Sequence, residues 1–230
     1  GEHSLVALRS PTMTPRQVLI VAAAAALATL AGVLVLDAPL AEALHGGLPA
    51  WLERTFDDGV HGLDVATGMD LPRGVLTSAL IVVGAALWLA PTRPAGTLAA
   101  RLSAAGHPIL VTGLTHAVVR TGGNHLKTLF GRLRPGEALA RGDLDHTFFQ
   151  GGISFPSGHV AHYAALTLAV VLMWPRGRVP ALAVLGFVAC ARVGRDAHFL
   201  SDATMSIALA ATAVVGFDAA LRRARASRGR

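Results

Sequence analysis

Six apolar blocks, separated by charged or Gly/Pro-rich segments, constrain this chain more than any other feature. QVLIVAAAAALATLAGVLVL (17–36) carries no charge and matches the roughly 20 residues a helix needs to cross a bilayer core. GVLTSALIVVGAALWLA (74–90) is a shorter second block, and HPILVTGLTHAVVRTGGNHL (107–126) is a third that carries Arg120 and three histidines. VAHYAALTLAVVLMW (160–174), VPALAVLGFVACARVG (179–194) and FLSDATMSIALAATAVVGF (199–217) complete the set. One such block alone reads equally well as a buried helix of a soluble protein. Six within 230 residues, with only 15% of the chain charged, point to a membrane protein, since soluble domains run near 25%. The expected fold is an all-α, polytopic bundle of six transmembrane helices. It forms one domain over 17–221, with an N-terminal segment 1–16 and a basic tail 222–230.

The net charge of +6 would suit nucleic acid, but its placement argues for a bilayer. Arg9 and Arg16 precede the first block, Arg93 and Arg101 lie between the second and third, and Arg176 and Arg178 between the fourth and fifth. Five arginines crowd the tail RRARASRGR. The segment 37–70 holds seven acids and one arginine. By the positive-inside rule both termini face the cytoplasm, and the loops 37–73, 128–158 and 195–198 face outward. Arginine in those outer loops breaks the charge pattern and needs a separate reason. The basic tail reads as a contact for anionic headgroups, and no nucleic-acid partner is expected.

The lone Cys190 lies in an apolar run and reads as a small buried hydrophobe. The first block is too long, and followed by too many others, for a cleaved signal peptide. The chain opens on GEHSL with no initiator methionine, and its first residues read as a remnant of expression. In the first outer loop, Trp51, Phe56, Val60 and Leu63 fall on one rough helical face with acids opposite. That suits a helix lying at the membrane surface, as a plug over a lateral opening or as a plain connector.

Three clusters carry residues able to do chemistry. In KTLFGRLRP, Lys127 and Arg134 are seven apart, about two turns, so a continuing helix would place both on one face. They could snorkel to headgroups or hold a phosphoryl group, Arg as a planar fork and Lys as a compact charge. In FPSGHVAHY, Pro156 and Gly158 shape a turn, Ser157 can cap the next helix, and its first N–H groups attract an anion. His159 could pass a proton to a leaving oxygen, or could simply face solvent beside a plain N-cap. His162 and Tyr163, farther into the span, read as packing or supporting groups. In ARVGRDAHFLSD, His198 and Asp202 are four apart, a spacing that lets the carboxylate hold one ring nitrogen while the other stays free as a nucleophile. An ionised Asp at this level needs a partner, and His198 is the nearest candidate. Arg192 adds a third cation. A metal held by His159, His198 and Asp202 is the competing reading, though a divalent site would not gather three cations around it. Together the clusters suit phosphoryl transfer, which needs in-line positioning and neutralised equatorial oxygens.

These motifs resemble the type 2 phosphatidic acid phosphatases (PAP2), whose pattern is Lys-x6-Arg-Pro, Pro-Ser-Gly-His and Ser-Arg-x5-His-x3-Asp. The chain has Lys127 to Arg134-Pro135, Pro156-Ser157-Gly158-His159, and Arg192, His198 and Asp202 at those spacings, with Ala191 where the family has serine. The resemblance covers about residues 70–220 and points to the bacterial six-helix membrane branch. It implies a metal-independent lipid phosphatase without cofactor, acting at the periplasmic face of the inner membrane. By the same resemblance His198 is the nucleophile, Asp202 orients it, and His159 protonates the leaving oxygen. Lys127, Arg134, Arg192, Ser157 and the Gly158 N–H hold the phosphoryl oxygens. The implied substrates are lipid phosphates or diphosphates in the bilayer: undecaprenyl diphosphate, phosphatidylglycerol phosphate or lipid A 1-phosphate. A phosphotransferase with a non-water acceptor and a non-enzymatic lipid-phosphate transporter or binding protein are the alternatives.

Overall fold

The computed structural model describes residues 13–72, 74–91 and 96–228; Arg9, Arg93 and most of the segment 1–16 lie outside them, as do residues 92–95 of the PTRPAG turn and 229–230 of the tail. Helix α1 (Pro15–Ala31) begins with a capping box in which the Thr14 hydroxyl accepts from Gln17 N and the Gln17 side chain returns to the Thr14 N–H. The pair satisfies two amides that a helix start leaves open. The helix runs on through a π-helical stretch, Gly32–Leu36, into α2 (Asp37–Leu44). The outer segment expected from residue 37 therefore begins only after Leu44. Apart from Pro39, DAPLAEAL is rich in good helix formers, and Asp37 is buried against another part of the chain rather than solvated.

The remaining helices are α3 (Ala50–Thr67), α4 (Val75–Leu89), α5 (Leu98–Phe130), α6 (Pro135–Arg141), α7 (Gly158–Met173), α8 (Arg178–Gly194) and α9 (Leu200–Arg228). Among the described residues, four stretches are long and apolar enough to cross a membrane: Pro15–Leu44, Leu98–Arg141, Pro175–Gly194 and Leu200–Arg228. Helices α4 and α7 have 15 and 16 residues. At 1.5 Å per residue they span about 22–24 Å, short of the roughly 30 Å hydrocarbon core. All six apolar blocks are thus helical, and among the described residues four have crossing length by themselves. The fold is an all-α membrane-helix bundle.

Helix α7 sits at the centre, packed by α5, α8 and α9, while α4 lies on α5, α1 on α9 and α3 on α8. Its alanines and valines let neighbours approach from every side, so nearly all of its length is buried. The peripheral α1 and the π-helical stretch after it do the reverse and leave Leu27 and Leu34 68% and 69% exposed, which suits a lipid-facing surface. Helices α4 and α5 touch backbone to backbone. A Cβ on Gly84 would stand 2.5 Å from Leu110 N, and one on Gly106 2.4 Å from Trp88 N, so only hydrogen fits there. Small residues at such crossings are the usual means of packing helices in lipid.

Helix α3 is amphipathic, though not as the surface reading would have it. Val60 is buried, Leu63 packs on the core and Phe56 meets Phe187 of α8 edge-on at 5.7 Å, but Trp51 is exposed and Asp64 is buried. Cys190 is exposed, not a core residue, because it lies on the side of α8 turned away from α7. One end of the bundle gathers α3, the loop after α5 and the turn before α9: Arg195 pairs with Glu53 at 2.7 Å and Asp57 at 3.0 Å, and His45 with Asp196 at 2.7 Å. At the opposite end, the start of α1 and the end of α9 line a common cavity with His107, whose Nε2 lies 2.7 Å from Asp218 Oδ1.

Candidate active site

Helix α5 ends at Phe130, with Gly131 in the left-handed region (φ 50°), a conformation that favours glycine. Lys127 lies in its last turn, but Arg134 stands beyond the break as the N-cap of α6. The two are not on one helical face, because the cap at Gly131 turns the chain first. The loop that follows folds back on residues 131–133: Leu133 N donates to Thr147 O at 2.9 Å, and Ser154 N to Arg132 O at 2.8 Å. Gly152 is needed there, since a Cβ would fall 2.2 Å from Arg132 O. Lys127 Nζ donates to Ile153 O at 2.5 Å and lies 3.4 Å from Ser154 O.

Ser157 caps α7, accepting from Val160 N at 3.4 Å, and its own N–H donates to Asp202 O at 3.0 Å. Ser206 Oγ donates to Ser157 O at 2.9 Å, so the second cluster is tied to α9. A Cβ placed on Gly158 would lie 3.7 Å from Arg120 Nη1 and 3.9 Å from Lys127 Cε. Arg120, which in the sequence only disturbs an apolar block, therefore joins the site. The His159 side chain, 27% exposed, sits in the first turn of α7.

His198 precedes α9 rather than sharing its face with Asp202. Its Nδ1 lies 3.4 Å from Asp202 Oδ2 and 3.3 Å from Ser154 Oγ. Ser154 Oγ in turn donates to Asp202 Oδ2 at 2.5 Å, as does Phe199 N at 2.9 Å. His198 is thus a partner of Asp202, as expected from the spacing, but Arg132 comes closer, with its Nη1 reaching Oδ1 at 2.7 Å. Arg132 is buried, and its Nη2 holds Asp37 Oδ2 at 2.7 Å. Its guanidinium lies 4.4 Å over the Phe148 ring and 4.0 Å over that of Phe199. Ser201 donates from its hydroxyl to Asp37 and accepts from Arg132. A buried charge needs such pairing. Burial pulls the His198 imidazole down to about 4; Lys127 and Arg192 push the same way, and Asp202 opposes. The ring is neutral at pH 7, with Nε2 not engaged by the carboxylate.

Lys127 lies within electrostatic reach of Asp202, Arg134, Arg120 and Arg192, so the expected cations converge around the His–Asp pair. Nε of Arg134 and Nε of Arg192 are buried without a hydrogen-bond partner. Beside Arg192 a cavity of about 170 Å³ is lined by His159, Asp64, His61 and Ala191. Among the described residues, no group of three or more His, Cys, Asp or Glu is arranged to hold a metal ion. Sequence reasoning missed Arg120, Arg132, Ser154, Asp37 and Asp64. Two of them left a signal, Arg120 as a charge inside an apolar block and Arg132 as an arginine in an outer loop. The others are ordinary residues whose partners are distant in the chain.

The sequence profile described as "PAP2 superfamily" matches residues 104–224. A search of curated proteins found no match. Among solved structures, the first transmembrane PAP2-type phosphatidylglycerolphosphate phosphatase from Bacillus subtilis is similar, with a TM-score of 0.53 and 20% identity over 90% of this chain and 96% of that one. At that identity the likeness speaks for the fold. The profile covers more than half of the chain and all three clusters, and on that ground this membrane protein belongs to the PAP2 superfamily and is a hydrolase of the PAP2 type.

Proposed function

We propose that this chain is a metal-independent lipid phosphatase working through a phosphohistidine. The observation that carries the reading is the buried, neutral His198 held at Nδ1 by Asp202 and Ser154 beside Lys127 and Arg192. The proton stays on Nδ1, so the Nε2 lone pair attacks phosphorus. The N–P bond forms as the bond to the leaving oxygen breaks, and His159 gives that oxygen its proton. Water then attacks phosphorus, the N–P bond breaks, and His159 takes the water's proton. Lys127, Arg134, Arg192, Ser157 and the Gly158 N–H hold the phosphoryl oxygens, whose charge grows in the transition state. Asp202 stabilises the charge that His198 gains.

The chain crosses the membrane six times in this reading, with α4 and α7 completing the four long spans. The transmembrane domain is 17–221; the segments 1–16 and 222–230 face the cytoplasm. The site opens on the periplasmic side of a bacterial inner membrane. The arginines at the opposite end support that orientation. The substrate is a lipid phosphate or diphosphate whose tail stays in the bilayer. Undecaprenyl diphosphate and phosphatidylglycerol phosphate lead, the second supported by the activity named for the Bacillus subtilis protein, with lipid A 1-phosphate next. The test is phosphate release from purified lipid phosphates in excess chelator. Wild type is expected to release phosphate, and His198→Ala to release none while remaining folded. Near-normal hydrolysis by that variant would sink the mechanism. Phosphate release that depends on a non-water acceptor would mark a transferase, and binding without any release a carrier.

A further inference from the structure

The mechanism accounts for the pairing of His198 with Asp202, but its other histidine is paired with a carboxylate too. Asp64 reaches from α3 to the general-acid histidine: His159 Nε2 and Asp64 Oδ2 lie 3.2 Å apart. The other carboxylate oxygen is occupied, since Tyr163 OH donates to Asp64 Oδ1 at 2.7 Å. Asp64 is 7% exposed, so this contact is screened far less than a surface pair.

Behind Tyr163 runs a buried string of polar groups. Thr67 Oγ1 donates to Tyr163 OH at 3.3 Å and lies 3.1 Å from His162 Nε2. His162 Nδ1 lies 2.9 Å from His116 Nε2, and His116 Nδ1 lies 2.7 Å from Thr77 Oγ1. His162 is 1% exposed. A string of this length invites comparison with a proton wire, but the two-step reaction returns to His159 the proton it gave away. No proton has to be imported in each turnover. What His159 does need is a fixed ring and a reason to be protonated among cations. Arg192 of α8 and Arg120 of α5 both act on it electrostatically, and both oppose a further positive charge. His61, Asp57 and Arg195 line the same cavity. Asp64 is the carboxylate in direct contact.

We propose that Asp64 is a positioning residue for His159: it orients the ring through Nε2, offsets Arg120 and Arg192, and leaves Nδ1 to face the leaving oxygen. The string from Thr67 to His116 holds the Tyr163 hydroxyl, which keeps Asp64 aimed. His162 thus acts through two neighbours and touches no substrate. This inference rests on His159 being the acid of the proposed reaction.

An acid matters most when the leaving oxygen is a poor leaving group. The experiment compares two lipid monophosphates in micelles, one an alkyl ester and the other a nitrophenyl ester carrying the same tail. The quantity compared is kcat/KM, which covers the steps up to departure of the leaving oxygen and not the later attack of water that also uses His159. General acid catalysis contributes about 10²–10⁴-fold, so His159→Ala should lose on that order with the alkyl ester and far less with the aryl ester. Asp64→Asn should show the same selectivity, with kcat/KM down about 10–100-fold on the alkyl ester and a much smaller loss on the aryl ester. Tyr163→Phe, which keeps the carboxylate, should show a milder form of it and guards against Asp64→Asn failing to fold. Equal losses on both esters in the Asp64 and Tyr163 variants, or no loss on either, would overturn the role of Asp64 while His159→Ala remains selective. A His159→Ala that loses equally on both esters would instead overturn the acid assignment, and the Asp64 proposal with it.

Discussion

Arg132 shows how much one buried side chain holds together. It joins Asp37, the first residue of α2, to Asp202 in α9, and both ion pairs are buried. Replacing a guanidinium in such a triad leaves two carboxylates without their cation, which typically costs about 3–5 kcal/mol. Arg132→Met should therefore lower stability on that scale in detergent, read by thermal or chemical unfolding, and should also lower turnover because Asp202 loses its anchor. His198 carries a second residue-scale expectation. Its imidazole takes up a proton near pH 4 in the folded protein and near 6.5 when unfolded. Between those values the unfolded chain binds more protons, so this contribution is full above pH 6.5 and is lost as pH falls toward 4. Melting temperatures measured from pH 7 to pH 4 should fall more steeply for wild type than for His198→Gln, which has no ring to titrate.

At the scale of elements, the α4–α5 contact is the most tightly specified joint. Gly84 and Gly106 stand where a Cβ would overlap main-chain atoms of the partner helix, and backbone cannot rotate aside as a side chain can. Gly106→Val should separate the two helices and destabilise by about 1–3 kcal/mol or more, as overpacking does. Gly122→Ala in the same α5 meets open space and should raise stability by about 1 kcal/mol through helix propensity. Unfolding of the two variants in one detergent checks the contrast. Helix α3 belongs to this scale too, for it brings Asp64 to His159 and is latched by Arg195 to Glu53 and Asp57.

On the scale of the molecule, site and loops lie at one end of the bundle, and the start of α1 and the end of α9 at the other. The proposed orientation makes this testable with Cys190 replaced by alanine. A cysteine at Gln150, in the loop beside the site, should react in intact cells with a thiol reagent that cannot cross membranes. One at Ser227, near the end of α9, should react only after lysis. The reverse pattern would turn the protein over in the membrane.

The sequence by itself determined that the chain is a membrane-helix bundle and where its three family motifs lie. Both facts are local. A helix in lipid satisfies its own backbone, so an apolar block is legible alone, and a motif is a spacing within a dozen residues. Tertiary structure decided the partners. Arg132 meets Asp202 across 70 residues and Asp37 across 95, and Asp64 meets His159 across 95. It also broke the helix between Lys127 and Arg134, turned Cys190 outward, and set His162 between Thr67 and His116. No periodicity records such pairings, because which buried charge finds which depends on how helices distant in the chain come to pack.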